Sequence, residues 1–265
     1  MKHREQLKNL LVARGFAQTS NEAERLILAA RVSVNGALAT QAGELVAADA
    51  LLEVSESKKY VSRGGLKLEG ALDDFAFDPA GLRCLDAGAS SGGFTDCLLK
   101  RGATQVVAVD VGYGQFDWQL RQDSRVALFE RTNIARVSPE SLGGSFDLLV
   151  ADLSFTSLAK LAGPLAAFVH EEGNCLTLVK PQFELPKDLV SKGVVNRSDL
   201  HIQALQRVGE AYQKQGLVLR QMSFSHLLGP KGNVEFWIWA AKCGPTATID
   251  VEEVVTRAHK ELLCK

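Results

Sequence analysis

The chain has 265 residues, 46% hydrophobic and 23% charged, with a formal net charge of −1. This is an ordinary globular composition, sized for one large domain or for one small and one medium domain. It excludes nucleic-acid binding through overall positive charge, so any basic signature must be local. Five cysteines (Cys84, Cys97, Cys175, Cys243 and Cys264) form no C-x-x-C pair, the opening MKHREQLKNLLVARG lacks a signal-peptide core, and Lys160 interrupts the nearest apolar stretch. No metal site, membrane span or secretion is therefore expected, and the expected compartment is the cytoplasm.

Charge is uneven at the start. Residues 1–31 hold Lys2, Arg4, Lys8, Arg14, Arg25 and Arg31 against Glu5, Glu22 and Glu24. Residues 32–57 hold only acids, and residues 58–67 hold Lys58, Lys59, Arg63 and Lys67 with no acid. Such runs are commonly solvated faces; their clustering here favours two basic patches. Leu7, Leu10 and Leu11 have helical spacing, with Gly15 as a stop. Thr19 and Glu22 have capping-box spacing before Ala23, Leu26, Ile27 and Ala30. Val32 and Val34 lead into Asn35-Gly36, a hairpin signal, and Leu51 to Val54 can close a small sheet.

This stretch, roughly residues 2–57, resembles the alpha-L RNA-binding motif. The resemblance implies that its two helices present basic side chains to structured RNA. Residues 1–57 are read as that domain, 58–63 as an interdomain linker and 64–265 as a second domain. An aromatic and a β-branched residue, Tyr60 and Val61, argue against a free tether. The join is either a passive boundary or a segment through which bound RNA shifts Lys67.

From Leu82 the pattern alternates strands with helices. Strands are predicted at 82–86, 105–110, 126–129, 146–151 and 175–179, and helices at 95–101, 158–168 and 200–215. This pattern implies a parallel sheet covered on both faces, an α/β fold. Two further strands, 217–225 and 234–240, are joined by about nine residues containing Gly229-Pro230-Lys231-Gly232, too few for a crossover helix, so they should pair antiparallel. A parallel sheet with an antiparallel last strand is the methyltransferase variant of the Rossmann layout.

The first strand runs into Asp86-Ala87-Gly88-Ala89-Ser90-Ser91-Gly92-Gly93-Phe94. A dinucleotide fingerprint requires G-x-G-x-x-G. The D-x-G-x-x-x-G-G spacing instead resembles an S-adenosylmethionine loop, with Asp86, Gly88, Ser90, Gly92, Gly93 and Phe94 as its candidate contacts. Asp110 ends the second strand, 22 residues after Gly88, where a carboxylate can accept both hydroxyls of a ribose. Asn133 is a further candidate, near the adenine. Gly92-Gly93 could instead simply make a tight strand–helix turn.

Four charged residues sit in apolar or turn settings: Lys67 in SRGGLKL, Asp152 after LLVA, Lys180 after LTLV and Glu235 in VEFWIW. Desolvation makes such positions rarely incidental. Taken singly, Lys67 could be a surface lysine and Glu235 an outward-facing strand residue. SRGGLKL, DAGASSGGFTD, VADLSF, LVKPQFE and GNVEFW together resemble the TlyA (hemolysin A) family of rRNA methyltransferases, related to FtsJ, over nearly the whole chain. The resemblance places that family's K-D-K-E tetrad on Lys67, Asp152, Lys180 and Glu235. It implies methylation of a ribose 2′-hydroxyl, on a cytidine of ribosomal RNA near the subunit interface. The first helix begins almost at once, which by the same resemblance implies the large-subunit site alone. A lysine beside a carboxylate suits the chemistry, since the hydroxyl proton must leave as the oxygen attacks.

Three rivals remain. An amino methylase would carry an N/D-P-P-Y/F loop where this chain has Asp152-Leu153-Ser154-Phe155. A membrane-active hemolysin would need a span or a basic amphipathic stretch. A non-catalytic RNA-binding assembly factor would not need the tetrad. A monomer that binds ribosomal RNA or a ribosomal subunit is expected.

Overall fold

The computed structural model describes residues 4–28, 31–39, 41–54 and 59–263. The chain divides into two compact units, Met1–Lys58 and Lys59–Lys265.

The first unit runs β1 (Arg4–Gln6), α1 (Leu7–Ala13), α2 (Ser20–Leu28), β2 (Val32–Val34), β3 (Ala37–Leu38), β4 (Leu45–Ala47) and β5 (Leu52–Val54). Gly15, at φ 77°, turns the chain out of α1. Thr19 Oγ1 accepts from Glu22 N, and Glu22 reaches back to accept from Gln18 N, so the predicted cap forms. The Asn35-Gly36 turn joins β2 to β3, and β5 closes the small sheet on the other side of β2. The three-residue strands β1 and β4, absent from the sequence prediction, pair antiparallel. Leu7, Leu10, Leu11, Ala23, Ile27, Val32, Val46 and Leu52 form the core. The predicted end of the second helix at Ala30 lies outside the described residues.

The second unit begins with α3 (Arg63–Asp74), β6 (Arg83–Ala87), α4 (Gly93–Lys100), β7 (Gln105–Val109), α5 (Trp118–Arg121), β8 (Val126–Phe129) and β9 (Phe146–Ala151). It continues with α6 (Leu158–Ala167), β10 (Val169–Val179), α7 (Pro181–Glu184), α8 (Ser198–Lys214), β11 (Val218–Phe224), β12 (Phe236–Ala241) and α9 (Val251–Leu262). Among the described residues the sheet has seven strands in the order β11-β12-β10-β9-β6-β7-β8. Strands β6 to β10 are parallel, and β12 lies between β10 and β11, antiparallel to both. The last strand in sequence is thus inserted inside the sheet rather than added at its edge.

Buried parallel strands must be apolar on both faces, and Leu148, Leu149, Val150 and Ala151 are all fully buried. One face packs on α6, α8 and α9 through Leu158, Leu165, Leu205, Tyr212 and Val255. The other packs on α3, α4 and α5 through Leu68, Leu72, Phe94, Leu98 and Leu120. Of the stretch read as a linker, residues 59–63 belong to the second unit. The Tyr60 ring is buried in its core, and its hydroxyl donates to Glu69.

Candidate active site

Strand direction gathers the site. Ala87, Ala151 and Val179 end parallel strands at one edge, and Ala87 pairs with Ala151 in register. Because β12 runs the other way, it starts at that edge, with Phe236 opposite Val179. Asp152, Lys180 and Glu235, each one residue beyond a strand end, therefore come together. Lys67 arrives from α3. It was expected in a turn setting; it lies on a helix, its side chain is only 9% exposed, and its Nζ donates to Glu235 Oε2 at 2.6 Å. Glu235 is fully buried, which excludes the outward-facing reading.

Lys180 Nζ lies 2.5 Å from Asp152 Oδ1, an ion pair by distance without hydrogen-bond geometry, and donates to Ser154 Oγ at 2.8 Å. Burial raises the Glu235 carboxyl above the usual carboxylate range. Lys67 and, more weakly, Lys180 oppose the rise, and Asp152 adds to it. All four charges thus act on one another, two positive against two negative.

Two cavities meet along this edge. One, of about 400 Å³, is lined by Ser62, Arg63, Gly64, Lys67, Ser91, Gly93, Phe94 and Leu228, and the other, of about 530 Å³, by Asp110, Gly112, Asn133, Ile134, Phe155 and Leu161. Gly88, Ser90 and Asp152 line both. Gly88 has φ 87°, and a Cβ there would stand 2.6 Å from the Asp152 carbonyl oxygen. The glycine thus allows the loop to close on Asp152. Asp110 Oδ2 accepts from Ser90 N at 2.8 Å and Oδ1 from Gly112 N at 2.6 Å, tying the glycine loop to the end of β7. Asn133 is exposed on the cavity rim, and its Oδ1 accepts from Ala135 N.

Two loop residues expected as cofactor contacts line neither cavity. Asp86 is fully buried, and its Oδ2 accepts from Thr95 N at 3.0 Å and Thr95 Oγ1 at 2.7 Å. Burial pushes its carboxyl up to about 7, against the two Thr95 bonds. It shapes the turn from β6 into α4. Gly92, at φ 91°, is the cap residue just before α4, and its absent Cβ leaves room for Leu120 and Phe116.

Lys2 and Lys58, expected on the RNA face, lie outside the described residues. In the first unit Arg4 and Arg25 are exposed, and Arg31 is half-buried. Lys8 pairs with Glu24 at 2.6 Å, and Arg14 donates to the carbonyls of Ala48 and Ala50. In the second unit Lys59 pairs with Glu69 at 2.5 Å, and Arg63, at the cavity mouth, donates to Leu228 O at 3.0 Å.

Sequence reasoning passed over Ser154, Phe155, Phe183 and Glu184. Phe155 is 91% exposed at φ 62°, in contact with Phe183 at 5.3 Å between ring centroids. The signal was present in VADLSF and LVKPQFE, where an aromatic follows each charged residue by three. Phe155 thus holds a left-handed backbone, costly for a non-glycine residue, three residues beyond Asp152.

Residues 60–242 match the FtsJ-like methyltransferase family, and residues 7–52 match the S4 domain. The chain is 46% identical over 232 residues to the 16S/23S rRNA (cytidine-2′-O)-methyltransferase TlyA of Mycobacterium tuberculosis, a match covering 86% of this chain and 87% of that one. It is 33% identical over 188 residues to the 23S rRNA (cytidine-2′-O)-methyltransferase TlyA of Campylobacter jejuni, covering 70% and 72%. A solved structure from Streptococcus thermophilus, described as a hemolysin, superposes with a TM-score of 0.75 at 34% identity, covering 100% of this chain and 98% of that one.

Proposed function

The chain belongs to the FtsJ-like methyltransferases of the TlyA family, with an S4 domain in front, and on that premise we propose that it methylates a ribose 2′-hydroxyl of ribosomal RNA, on a cytidine. The observation that carries the reading is the convergence of Lys67, Asp152, Lys180 and Glu235 at one sheet edge, beside a glycine loop and two joined cavities.

The residues fit S-adenosylmethionine. The larger cavity has the volume of a small-molecule site, with Ile134, Leu153 and Leu161 as apolar walls and Asp110 for a ribose. Gly88 keeps its floor open, and Asn133 stands where it can meet the adenine edge. The smaller cavity takes the amino-acid end, where the N-termini of α3 and α4 and Arg63 favour a carboxylate. When bound, S-adenosylmethionine supplies the electrophilic methyl carbon.

This chain's own residues prepare the nucleophile. The Lys180 ammonium group, fixed by Asp152 and Ser154, electrostatically favours loss of the 2′-hydroxyl proton to solvent as the oxygen attacks. Lys67 stabilises the developing alkoxide, held in place by buried Glu235. Phe155, exposed beside Asp152 and backed by Phe183, offers a face on which a base can stack. Exposed Arg4 and Arg25 on the S4 domain grip phosphates, as can Lys8 once it leaves its surface pair with Glu24. No helix among the described residues is long and apolar enough to cross a membrane, which gives the hemolysin reading no support. The test is methyl transfer to ribosomal subunits by the purified chain and by Lys180→Ala. The expected outcome is 2′-O-methylcytidine from the first, and at least a 100-fold lower rate from the second.

A further inference from the structure

Two loops leave the sheet side by side at the site. One runs from Asp152 at the end of β9 to Ser157, which caps α6. The other runs from Lys180 at the end of β10 through α7 to Glu184. They are joined at the sheet end by Lys180 to Asp152 and Ser154, and midway by Phe155 against Phe183. At the far end Glu184, 2% exposed, accepts from Ser157 Oγ at 2.6 Å, Leu158 N at 2.6 Å and Ala159 N at 3.4 Å.

Glu184 is expensive where it stands. Burial raises its carboxyl above the usual range, opposed by those three donors and by the Arg207 guanidinium. A packing residue could fill the same space without that cost. What a carboxylate adds is a bidentate acceptor for the free N–H groups of the first turn of α6, favoured by the helix dipole. It ties the α6 start to α7, and α7 begins immediately after Lys180.

We infer that Glu184 is a positioning residue for methyl transfer: by clamping the far ends of the two loops, it fixes the distance and direction between Lys180 and Asp152. The inference rests on the proposed reading of that pair. Misplacement of a reacting pair by about 1 Å is enough to lower a rate on the order of 100-fold. Glu184 itself lines neither cavity, but the loop that it clamps lines the larger one from Asp152 to Thr156, so its loss falls chiefly on the rate, where the geometry of the pair counts most, and less on cofactor affinity. Glutamine keeps the two short bonds of the clamp, because its oxygen can accept from Leu158 N while its amide nitrogen donates to Ser157 Oγ, and it gives up only the 3.4 Å bond from Ala159 N.

The test uses the full chain with ribosomal subunits and S-adenosylmethionine, on wild type, Glu184→Ala, Glu184→Asp and Glu184→Gln. The aspartate is one methylene too short to reach both partners and serves if the alanine variant does not fold. The expected result is kcat at least 10-fold lower for alanine and aspartate, S-adenosylmethionine affinity within twofold of wild type by calorimetry, and glutamine within threefold of the wild-type kcat. Folded alanine and aspartate variants with kcat within threefold of wild type would overturn the inference, as would a loss that appears in cofactor affinity or that glutamine does not rescue. Absence of ribose methylation by wild type would instead count against the proposed activity.

Discussion

Alanine at Lys180 should leave the fold and cofactor affinity in place, because Asp152, the partner left behind, is 23% exposed and faces both cavities, where solvent can take over from the ammonium group. The rate should fall by about 100-fold or more, read as single-turnover methyl transfer. The Lys67–Glu235 pair behaves differently. Both groups are buried, so removing one strands the other and should destabilise by about 3–5 kcal/mol. Unfolding midpoints must accompany activity for Lys67→Ala; a Lys67→Ala protein as stable as wild type would mean that the pair is not buried in solution. A third expectation concerns Gly88. An alanine there would press on the Asp152 carbonyl from a left-handed backbone, so cofactor affinity and rate should fall together. Normal affinity in Gly88→Ala would remove the loop from the cofactor site.

At the scale of elements, α9 is tied to α8 by two histidines. His201 is fully buried; its Nε2 bonds Val195 O at 2.9 Å, and its Nδ1 lies 2.8 Å from His259 Nε2. With both rings neutral, His201 donates to Val195 and accepts from His259. Burial lowers His201 to about 4. A histidine depressed in the fold binds protons more readily when unfolded, so its contribution is complete above about 6.5 and is lost as pH falls toward 4, by about 2 kcal/mol between pH 7 and pH 5. Asp86, raised to about 7, acts in the opposite sense over the same window. The His201 contribution is therefore read as a difference: relative to His201→Gln, wild type should lose stability from pH 7 to pH 5 in denaturant titrations. Parallel curves for the two proteins would mean that His201 does not titrate there.

Legibility in the sequence also followed physics at this scale. Strands buried on both faces are unbroken apolar runs, so Phe146 to Ala151 was legible, as were the charges just past the strand ends. Helix α3 was not, because Gly64-Gly65 reads as a turn and its helicity comes from packing on α4. The three-residue strands β1 and β4 are too short to show a period. Lys67 and Glu235 stand 168 residues apart, and spacing alone could not pair them; resemblance to a family could. Glu184 left no local trace, since a residue that caps a distant helix looks like any acid on the surface.

For the whole molecule, the proposal divides labour between an S4 unit that holds RNA and a second unit that carries the chemistry. Replacing exposed Arg4 and Arg25 with alanine should weaken RNA binding and flatten its salt dependence by about one unit of slope per lost phosphate contact. The rate at saturating RNA should stay unchanged, and a reduced saturated rate would contradict the division. The segment leading into Lys67 calls for a conservative probe, because the Tyr60 ring is buried. Tyr60→Phe keeps the ring and removes the hydroxyl, with its bond to Glu69 and its interactions with Cys97 and Arg101, and a lower rate at saturating RNA in that variant would favour a join that transmits binding over a passive boundary. The central measurement is nucleoside mass spectrometry of ribosomal RNA, after subunits lacking the modification are incubated with the purified chain and isotopically labelled S-adenosylmethionine. The expected product is 2′-O-methylcytidine carrying the label, dependent on Lys180. Label on a base, or the same labelled nucleoside formed equally well by Lys180→Ala, would contradict it.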